Sequence, residues 1–202
     1  QVFAKIIGKN AKEVDLGDEA VVLVITPLHY INAQKYVRST KLEIYWLNLL
    51  TKEEIRELDR QLIGTERAKF EEYKDLEFSD LTSLKKLDVM LQKLARISRR
   101  RAYIVYKYFL EMEKVFSEIY RLLKRHGYFV LVIGNNRFYG IDFPSNEILV
   151  DIAKEHLFEL ESAYIDTIKS RGLMTKRNKT ADMINSEWVL VFKKLLDPEI
   201  SH

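Results

Sequence analysis

Apolar and β-branched residues follow one another without alternation in two stretches of the chain, at 21–26 and 128–133. A strand that is covered on both faces of a parallel sheet has this pattern, because neither face is left for polar side chains. The first stretch ends at Pro27 and the second at Gly134, each in a polar loop. We therefore expect two neighbouring buried strands of an α/β sheet, with a ligand crevice outside their carboxyl ends.

Helical periodicity fills much of the chain between these two strands. Thr51 and Glu54 have the spacing of a capping box, which predicts a helix over 52–63. From 80 to 124 apolar residues recur at three- and four-residue steps and predict one or two amphipathic helices, with Ser98 as the weak point. We expect this helix to close with basic residues 124–126 in its last turn and Gly127 as its cap. A charged stretch at 66–77 predicts a surface excursion.

The remaining segments predict an edge strand, one more helix and a closing hairpin. Residues 2–7 have the pattern of a short edge strand, and Pro144-Ser145 marks the start of another helix. Residues 158–168 and 187–194 predict two strands that form a closing hairpin across a polar loop at 170–186. Alternating strands and helices of this kind indicate an α/β protein.

Composition narrows the class of protein. The 202 residues fit a single domain over 1–202, with a helical insertion at about 50–100. The chain has no apolar run long enough for a membrane span and no signal-peptide pattern, so we expect a cytoplasmic protein. Cysteine is absent, and no metal site is expected because the four histidines lie far apart in sequence: His29, His126, His156 and His202.

Positive charge is concentrated at Arg99, Arg100 and Arg101, close to tyrosines at 103, 106 and 108. Basic residues interleaved with aromatic rings suit contacts to phosphates with stacking platforms nearby. A solvated helix face has the same composition, so the pattern alone leaves both interpretations open. The net charge of +3 permits a nucleic-acid partner without requiring one.

The loop that follows the first strand has a distinctive sequence, in which Pro27, Leu28 and His29 precede Tyr30. This loop and the run 32–38 resemble the catalytic loop of S-adenosylmethionine-dependent DNA amino-methyltransferases of the N4-cytosine and N6-adenine type, the DNA modification methylases. In that family the strand ends in Ser-Pro-Pro-Tyr or Asp-Pro-Pro-Tyr. Residues 127–135 resemble the family's next core strand and 187–193 its closing strand. The resemblance implies a Rossmann-like methyltransferase core, a parallel sheet ending in an antiparallel hairpin, with S-adenosylmethionine as cofactor and double-stranded DNA as partner.

The resemblance also implies roles for individual residues. Tyr30 would stack on a flipped base, the carbonyls of 26–29 would hold its amino group, and His29 would accept a hydrogen bond through a ring nitrogen. Two of the candidate residues have other interpretations: Tyr30 could cap the sheet edge, and Arg38 could pair with Glu43 instead of with a phosphate. The candidate residues are Pro27, His29 and Tyr30 for catalysis; Asn10, Thr26 and Asn135 for the cofactor; and Asn32, Arg38, Arg99, Arg100, Arg101, Arg171, Lys176 and Arg177 for nucleic acid.

The chain departs from the family in two places. Pro27-Leu28-His29 lacks the side-chain acceptor and the proline pair, and the seven glycines contain no G-x-G cofactor loop. We therefore expect a missing N-terminal segment or a second chain to supply the first strands and the cofactor loop. Two functions remain open: a catalytic domain of a DNA amino-methyltransferase, or a non-catalytic nucleic-acid-binding or scaffolding subunit with the same fold.

Overall fold

The computed structural model describes residues 3–6, 10–27, 31, 36–167 and 186–196, and these residues form a mixed α/β fold. Strands and helices both occur, as the hydrophobic pattern predicts, but in the described residues they do not alternate one by one: five α-helices follow the first strand, and three strands precede the last helix. The helices are α1 (Tyr36–Ser39), α2 (Lys41–Trp46), α3 (Lys52–Gln61), α4 (Lys85–Ile97), α5 (Arg99–Leu122) and α6 (Ser145–Glu155). The strands are β1 (Val21–Pro27), β2 (Leu123–Gly134), β3 (Asn136–Phe138), β4 (Ile141–Phe143), β5 (Phe158–Thr167) and β6 (Ser186–Lys194).

The main sheet has four strands in the order β1-β2-β6-β5. β1 and β2 pair in parallel, so the two predicted apolar strands are neighbours, as expected. β6 runs antiparallel to both β2 and β5, which confirms the closing hairpin. β3 and β4 form a separate two-stranded ribbon that turns at Tyr139 and Gly140, both with positive φ. A type I′ turn has this backbone, and it suits the twist of a two-residue hairpin.

One face of the main sheet is covered by helices. α5 packs against β2, α6 packs against β2, β5 and β6, and α4 packs against α5. Phe116 of α5 lies at the centre of an aromatic cluster, with ring centroids 5.3 Å from Phe129, 5.9 Å from Phe192 and 6.0 Å from Phe158. All four rings are essentially inaccessible to solvent. Burial of these rings joins the longest helix to three of the four strands.

The opposite face of the sheet corrects the prediction that 21–26 is covered on both sides. In the register of β1 and β2, Leu23 pairs with Tyr128 and Ile25 pairs with Val130. Leu23 is 48% exposed and Ile25 is 64% exposed, and no described helix covers them. β1 also has one free edge, since β2 is its only partner in the described part of the chain. Only one face of β1 is therefore covered in the described fold, although its continuous apolar pattern predicts two covered faces.

The junction between α5 and β2 differs from the predicted helix end. Residues 124–126 belong to β2 rather than to a last helical turn, because Leu123 already has extended backbone (φ −73°, ψ 136°). Gly127 lies within the strand, and a Cβ there would come 2.9 Å from the carbonyl of Lys124 and 3.1 Å from that of Val22. Glycine is needed here because a side chain would meet both its own strand and β1, and not as a helix cap.

Three further predictions about the elements have different outcomes. The helical stretch begins at Lys85 instead of 80, because Asp80 has positive φ and Asp88 binds the Thr82 backbone and hydroxyl ahead of the first turn. The break at Ser98 is confirmed: this residue ends α4, and its side chain accepts from the Arg101 amide at the start of α5. Residues 3–6 form no strand, so within that range the predicted edge strand is wrong.

The capping box at Thr51 is present. The Thr51 hydroxyl accepts from the Glu54 amide at 3.3 Å, and the Glu54 carboxylate accepts from the Thr51 amide at 2.7 Å. Both bonds satisfy amides that the first turn of α3 would otherwise leave open. We expect Thr51→Ala to lower the free energy of unfolding by about 1 kcal/mol, measured by urea denaturation. Thr51→Ser should retain most of the stability, and equal losses in both variants would contradict the role of the hydroxyl.

Candidate functional site

The carboxyl ends of β1 and β2 lie level with each other. Thr26 is in register with Leu131 and Pro27 with Val132, so Asn135 comes just beyond the same edge of the sheet. The Thr26 side chain is half-buried, and its hydroxyl donates to the Pro27 carbonyl at 3.4 Å. Three of the predicted site residues therefore gather at this edge: Thr26, Pro27 and Asn135.

Two consecutive asparagines connect this edge to the helix that follows it. The Asn135 side-chain oxygen accepts from the Asn146 amide at 3.0 Å and so caps the first turn of α6. Asn136 is buried and bridges two segments, donating to the Ile31 carbonyl at 3.3 Å and accepting from the Ser145 hydroxyl at 3.4 Å. Asn136 thereby ties the chain after β1 to the start of α6. Asn135 is among the predicted site residues and Asn136 is not, although the Asn-Asn pair directly after a strand is a visible signal in the sequence.

Asn146 is a second site residue that is not among those predicted from the sequence. Its side chain is buried, and its amide oxygen has no hydrogen-bond partner among the described residues. A buried carbonyl oxygen without a donor is costly, typically about 1–3 kcal/mol. Such an atom next to a candidate site suits a ligand that brings an N–H or O–H group.

Asn10 lies in a different part of the molecule. Its side chain accepts from the Lys12 amide at 3.1 Å, and the Lys12 ammonium pairs with Glu111 of α5 at 3.3 Å. Within the described residues, no hydrogen bond joins Asn10 to Thr26 or Asn135. A cofactor role for Asn10 therefore stays a prediction.

The segment around Asn10 is fastened to α5 by Arg121. The Arg121 guanidinium donates to the Val14 and Leu16 carbonyls at 3.1 and 2.8 Å, and it pairs with Glu118 at 2.7 Å. The hydrogen bond from Arg121 is the main reason that the pKa of Glu118 lies below its usual value. These contacts hold the segment that precedes the amino end of β1, at the opposite end of that strand from the candidate site.

Arg99 and Arg100 bind backbone carbonyls. The Arg99 guanidinium donates to the carbonyls of Tyr73, Lys74 and Leu76, at 2.7 to 3.4 Å. Arg100 donates to the Glu66 carbonyl at 2.8 Å. These bonds attach the predicted surface excursion to the first turn of α5. The nucleic-acid role of both residues stays a prediction, and it competes with this structural use.

Arg101 and the nearby tyrosines are buried to different extents, and Arg101, Tyr103 and Tyr106 are only partly covered. The Arg101 guanidinium lies 5.6 Å from the Phe138 ring centroid, and burial lowers its pKa. Tyr108 is fully buried, which excludes it as a stacking platform. The Tyr103 hydroxyl donates to Glu72 at 3.1 Å, and burial followed by this carboxylate raises the pKa of Tyr103 to about 12.

Arg38 lies on the wall of a cavity formed by α1, α2, α3 and residues 62–67. No carboxylate of the described residues is within ion-pair distance of it, so the alternative pairing with Glu43 is not formed. Six predicted site residues lie outside the described residues: His29, Tyr30, Asn32, Arg171, Lys176 and Arg177.

Comparison with known proteins gives distant structural likenesses. A candidate DNA modification methylase from Thermus thermophilus aligns over 94% of this chain and 53% of its own, with 16% identity and a TM-score of 0.45. A structure of that protein complexed with S-adenosyl-L-methionine aligns over 45% of this chain and 38% of its own, with 21% identity and a TM-score of 0.33. A SAM-dependent methyltransferase from Methanosarcina mazei aligns over 94% of this chain and 66% of its own, with 10% identity and a TM-score of 0.42. The chain thus spans about half the length of the first of these proteins.

No protein-family model matches the chain, and no curated protein matches it. Among the helices of the described residues, none is long and apolar enough to cross a membrane.

Proposed function

We propose that this chain is part of an S-adenosylmethionine-dependent methyltransferase that modifies an exocyclic amine in DNA, at cytosine N4 or adenine N6. Under this proposal the four-stranded sheet and its helices are one portion of a Rossmann-like methyltransferase core. The fold, an α/β sheet with a parallel pair followed by an antiparallel hairpin, is compatible with that core. The sequence resemblance of 27–38, 127–135 and 187–193 is the reason for assigning amine methylation in DNA to this core.

The observation that carries the proposal is the parallel pairing of β1 and β2. It sets Thr26 level with Leu131 and Pro27 level with Val132, so the two segments with the clearest family resemblance end at one edge. In open α/β sheets this edge is where ligands bind. The asparagine pair that follows β2 then connects this edge to the residue after the resembling loop, through the bond from Asn136 to the Ile31 carbonyl.

The uncovered side of the sheet supports the need for a further polypeptide segment. β1 has a free edge among the described strands, and Leu23 and Ile25 are exposed on the face that no described helix covers. An exposed, apolar edge strand is a ready partner for another strand. We infer that strands from a preceding segment or from a second chain extend the sheet at β1 and bring the cofactor loop with them.

The residues at this edge fit part of a cofactor site. The amide oxygen of Asn146, which lacks a donor among the described residues, suits an ammonium or amino group. Thr26 and Asn135 supply further polar groups at the same edge, and these are the residues that would hold the cofactor. S-adenosylmethionine, when bound, supplies a sulfonium methyl group that moves to the amine nitrogen as the carbon–sulfur bond breaks and the nitrogen loses a proton.

The chain's own contribution to the reaction is to orient the amine. Carbonyl acceptors on the amino hydrogens turn the nitrogen lone pair toward the methyl group, so their placement controls the rate. The Pro27 carbonyl already accepts from the Thr26 hydroxyl at 3.4 Å, and its second lone pair is left for the amine. In this proposal Tyr30 stacks on the flipped base and His29 accepts through a neutral ring nitrogen.

Calorimetric binding of S-adenosylmethionine and transfer of labelled methyl to duplex DNA test the proposal, with the chain alone and with any co-purifying partner. We expect binding and transfer in at least one of these preparations. We expect His29→Ala to lower the transfer rate roughly tenfold to a hundredfold, by removal of one oriented acceptor. His126→Asn is the control, because His126 is exposed at positive φ, where asparagine is tolerated. No transfer in either preparation would overturn the proposal, and full activity in His29→Ala would exclude that residue.

One observation favours a second candidate, a non-catalytic nucleic-acid-binding or scaffolding subunit. The Asn135 side-chain oxygen is already used to cap α6 through the Asn146 amide, so it is not free to accept from a ligand in this arrangement. Together with the altered Pro27-Leu28-His29 sequence, this suits a fold retained for binding. Cofactor binding in the calorimetric experiment would count against this candidate.

A further inference from the structure

A cavity of about 700 Å³ lies between α1, α2, α3 and residues 62–67. Its walls carry six basic side chains and two acidic ones, Asp59 and Glu66. The lining residues alone have an excess of four positive charges, and the carboxylates of Glu53 and Glu57, which pair with two of the arginines, reduce this excess to two. The basic residues are Arg38, Lys41, Lys52, Arg56, Arg60 and Arg67.

The positive charge in this cavity is only partly neutralised. Arg67 pairs with Asp59 at 2.7 Å, Arg60 with Glu57 at 3.5 Å and Arg56 with Glu53 at 4.0 Å. Arg38, Lys41 and Lys52 have no carboxylate within ion-pair distance among the described residues. Lys41 lies 5.5 Å from the ring centroid of Tyr45, which also lines the cavity. Half of the basic groups are therefore available to an anion.

The arrangement of these charges fits a chain of phosphates better than a single one. Lys52, Arg56 and Arg60 lie at four-residue steps on α3, so they form one row with successive residues about 6 Å apart along the helix axis. Arg38 and Lys41 continue the positive surface on α1 and α2. One small anion can contact only a few of these groups, whereas a nucleic-acid backbone presents a phosphate at every residue.

The basic run of α5 is less suited to this task. Arg99 and Arg100 donate to loop carbonyls, and the Arg101 guanidinium packs over Phe138. We propose that the basic cavity of α1–α3, rather than the triple arginine of α5, makes the principal contacts to DNA phosphates. This inference rests on the proposed function for the identity of the nucleic acid.

Binding of a fluorescein-labelled duplex, followed by anisotropy between 50 and 200 mM salt without cofactor, tests the inference. We expect Lys41→Gln with Lys52→Gln to weaken binding at least tenfold and to reduce the slope of log K against log salt by about two. The control variant, Lys85→Gln with Lys114→Gln, removes the same charge from exposed positions on α4 and α5 that do not line the cavity. It should leave the slope nearly unchanged, as should Arg100→Gln. Thermal unfolding by circular dichroism checks that the variants fold.

The inference is overturned if the wild-type chain does not bind the duplex, if the salt slope is unchanged in the cavity variant (Lys41→Gln with Lys52→Gln), or if the control variant loses as much affinity as the cavity variant. A larger loss of affinity in Arg100→Gln than in the cavity variant would also overturn it, and would assign the phosphate contacts to α5. Because the measurement needs neither cofactor nor methyl transfer, failed transfer with a normal cavity effect would remove the methyltransferase proposal and leave this inference standing.

Discussion

Phe116→Ala is expected to lower the free energy of unfolding by about 3–5 kcal/mol. The Phe116 ring is fully buried and meets three other phenylalanines at centroid distances of 5.3 to 6.0 Å, all nearly edge-to-face. Its removal takes away apolar burial and leaves a cavity between α5 and the sheet, and the surrounding rings can fill that space only in part. Urea denaturation followed by circular dichroism gives the change directly.

Phe70→Ala is the control for this prediction, because Phe70 is 62% exposed and contacts only Tyr73 among the described aromatic rings. We expect it to change stability by about 0.5 kcal/mol or less. Phe116→Leu should fall between the two variants and remains useful if the alanine variant does not fold. Similar losses for Phe116→Ala and Phe70→Ala would mean that the aromatic cluster does not organise the core.

The hydrophobic pattern predicted the elements that bury apolar residues at a regular period. The parallel neighbours β1 and β2, the closing hairpin, the helix after Thr51 and the break at Ser98 all follow from residues whose local preferences agree with their burial. The failures have a common origin. Residues 21–25 are apolar and Thr26 is β-branched, but whether a second layer covers them depends on distant parts of the polypeptide, which local sequence does not report.

The helix end at 124–127 shows a second limit of sequence reasoning. Basic residues followed by glycine have the composition of a helix C-terminus. Here Gly127 is required instead because a Cβ at this position would come 2.9 Å from the Lys124 carbonyl of its own strand and 3.1 Å from the Val22 carbonyl of the neighbouring strand. The second contact joins residues more than one hundred positions apart, and no local pattern reveals it.

The candidate site was predictable in outline only. The rule that ligands bind at the carboxyl ends of strands located Thr26, Pro27 and Asn135. The roles of Asn136 and Asn146 depend on contacts with Ile31 and Ser145 or on the absence of a partner among the described residues, and both are properties of the folded chain. The arginine run is the opposite case, because its dense charge is visible in the sequence but its contacts are not. In the folded chain Arg99 and Arg100 donate to loop carbonyls.

Asn136→Ala is expected to affect both stability and the candidate site. The substitution leaves the Ile31 carbonyl without its described donor and removes one of the two acceptors of the buried Ser145 hydroxyl, the other being the Phe143 carbonyl at 3.5 Å. Unsatisfied buried polar groups of this kind cost about 1–3 kcal/mol. Because Ile31 directly follows the 27–30 loop, loss of this bond also frees the loop that the proposed reaction uses to orient the amine, so we expect methyl transfer to fall further than cofactor binding.

A comparison with Asn135→Ala and Ser145→Ala separates these effects. Asn135 is exposed, and among the described residues its side chain makes one hydrogen bond, to the Asn146 backbone amide, so its removal should cost about 1 kcal/mol or less, as for a helix cap. Asn136 and Ser145 should show a coupling energy of at least about 0.5 kcal/mol in a double-mutant cycle, since they share a hydrogen bond. Additive effects of those two substitutions would contradict the bridge. If Asn136→Ala instead retained wild-type stability and transfer rate, the loop after β1 would have to be held by contacts other than this asparagine.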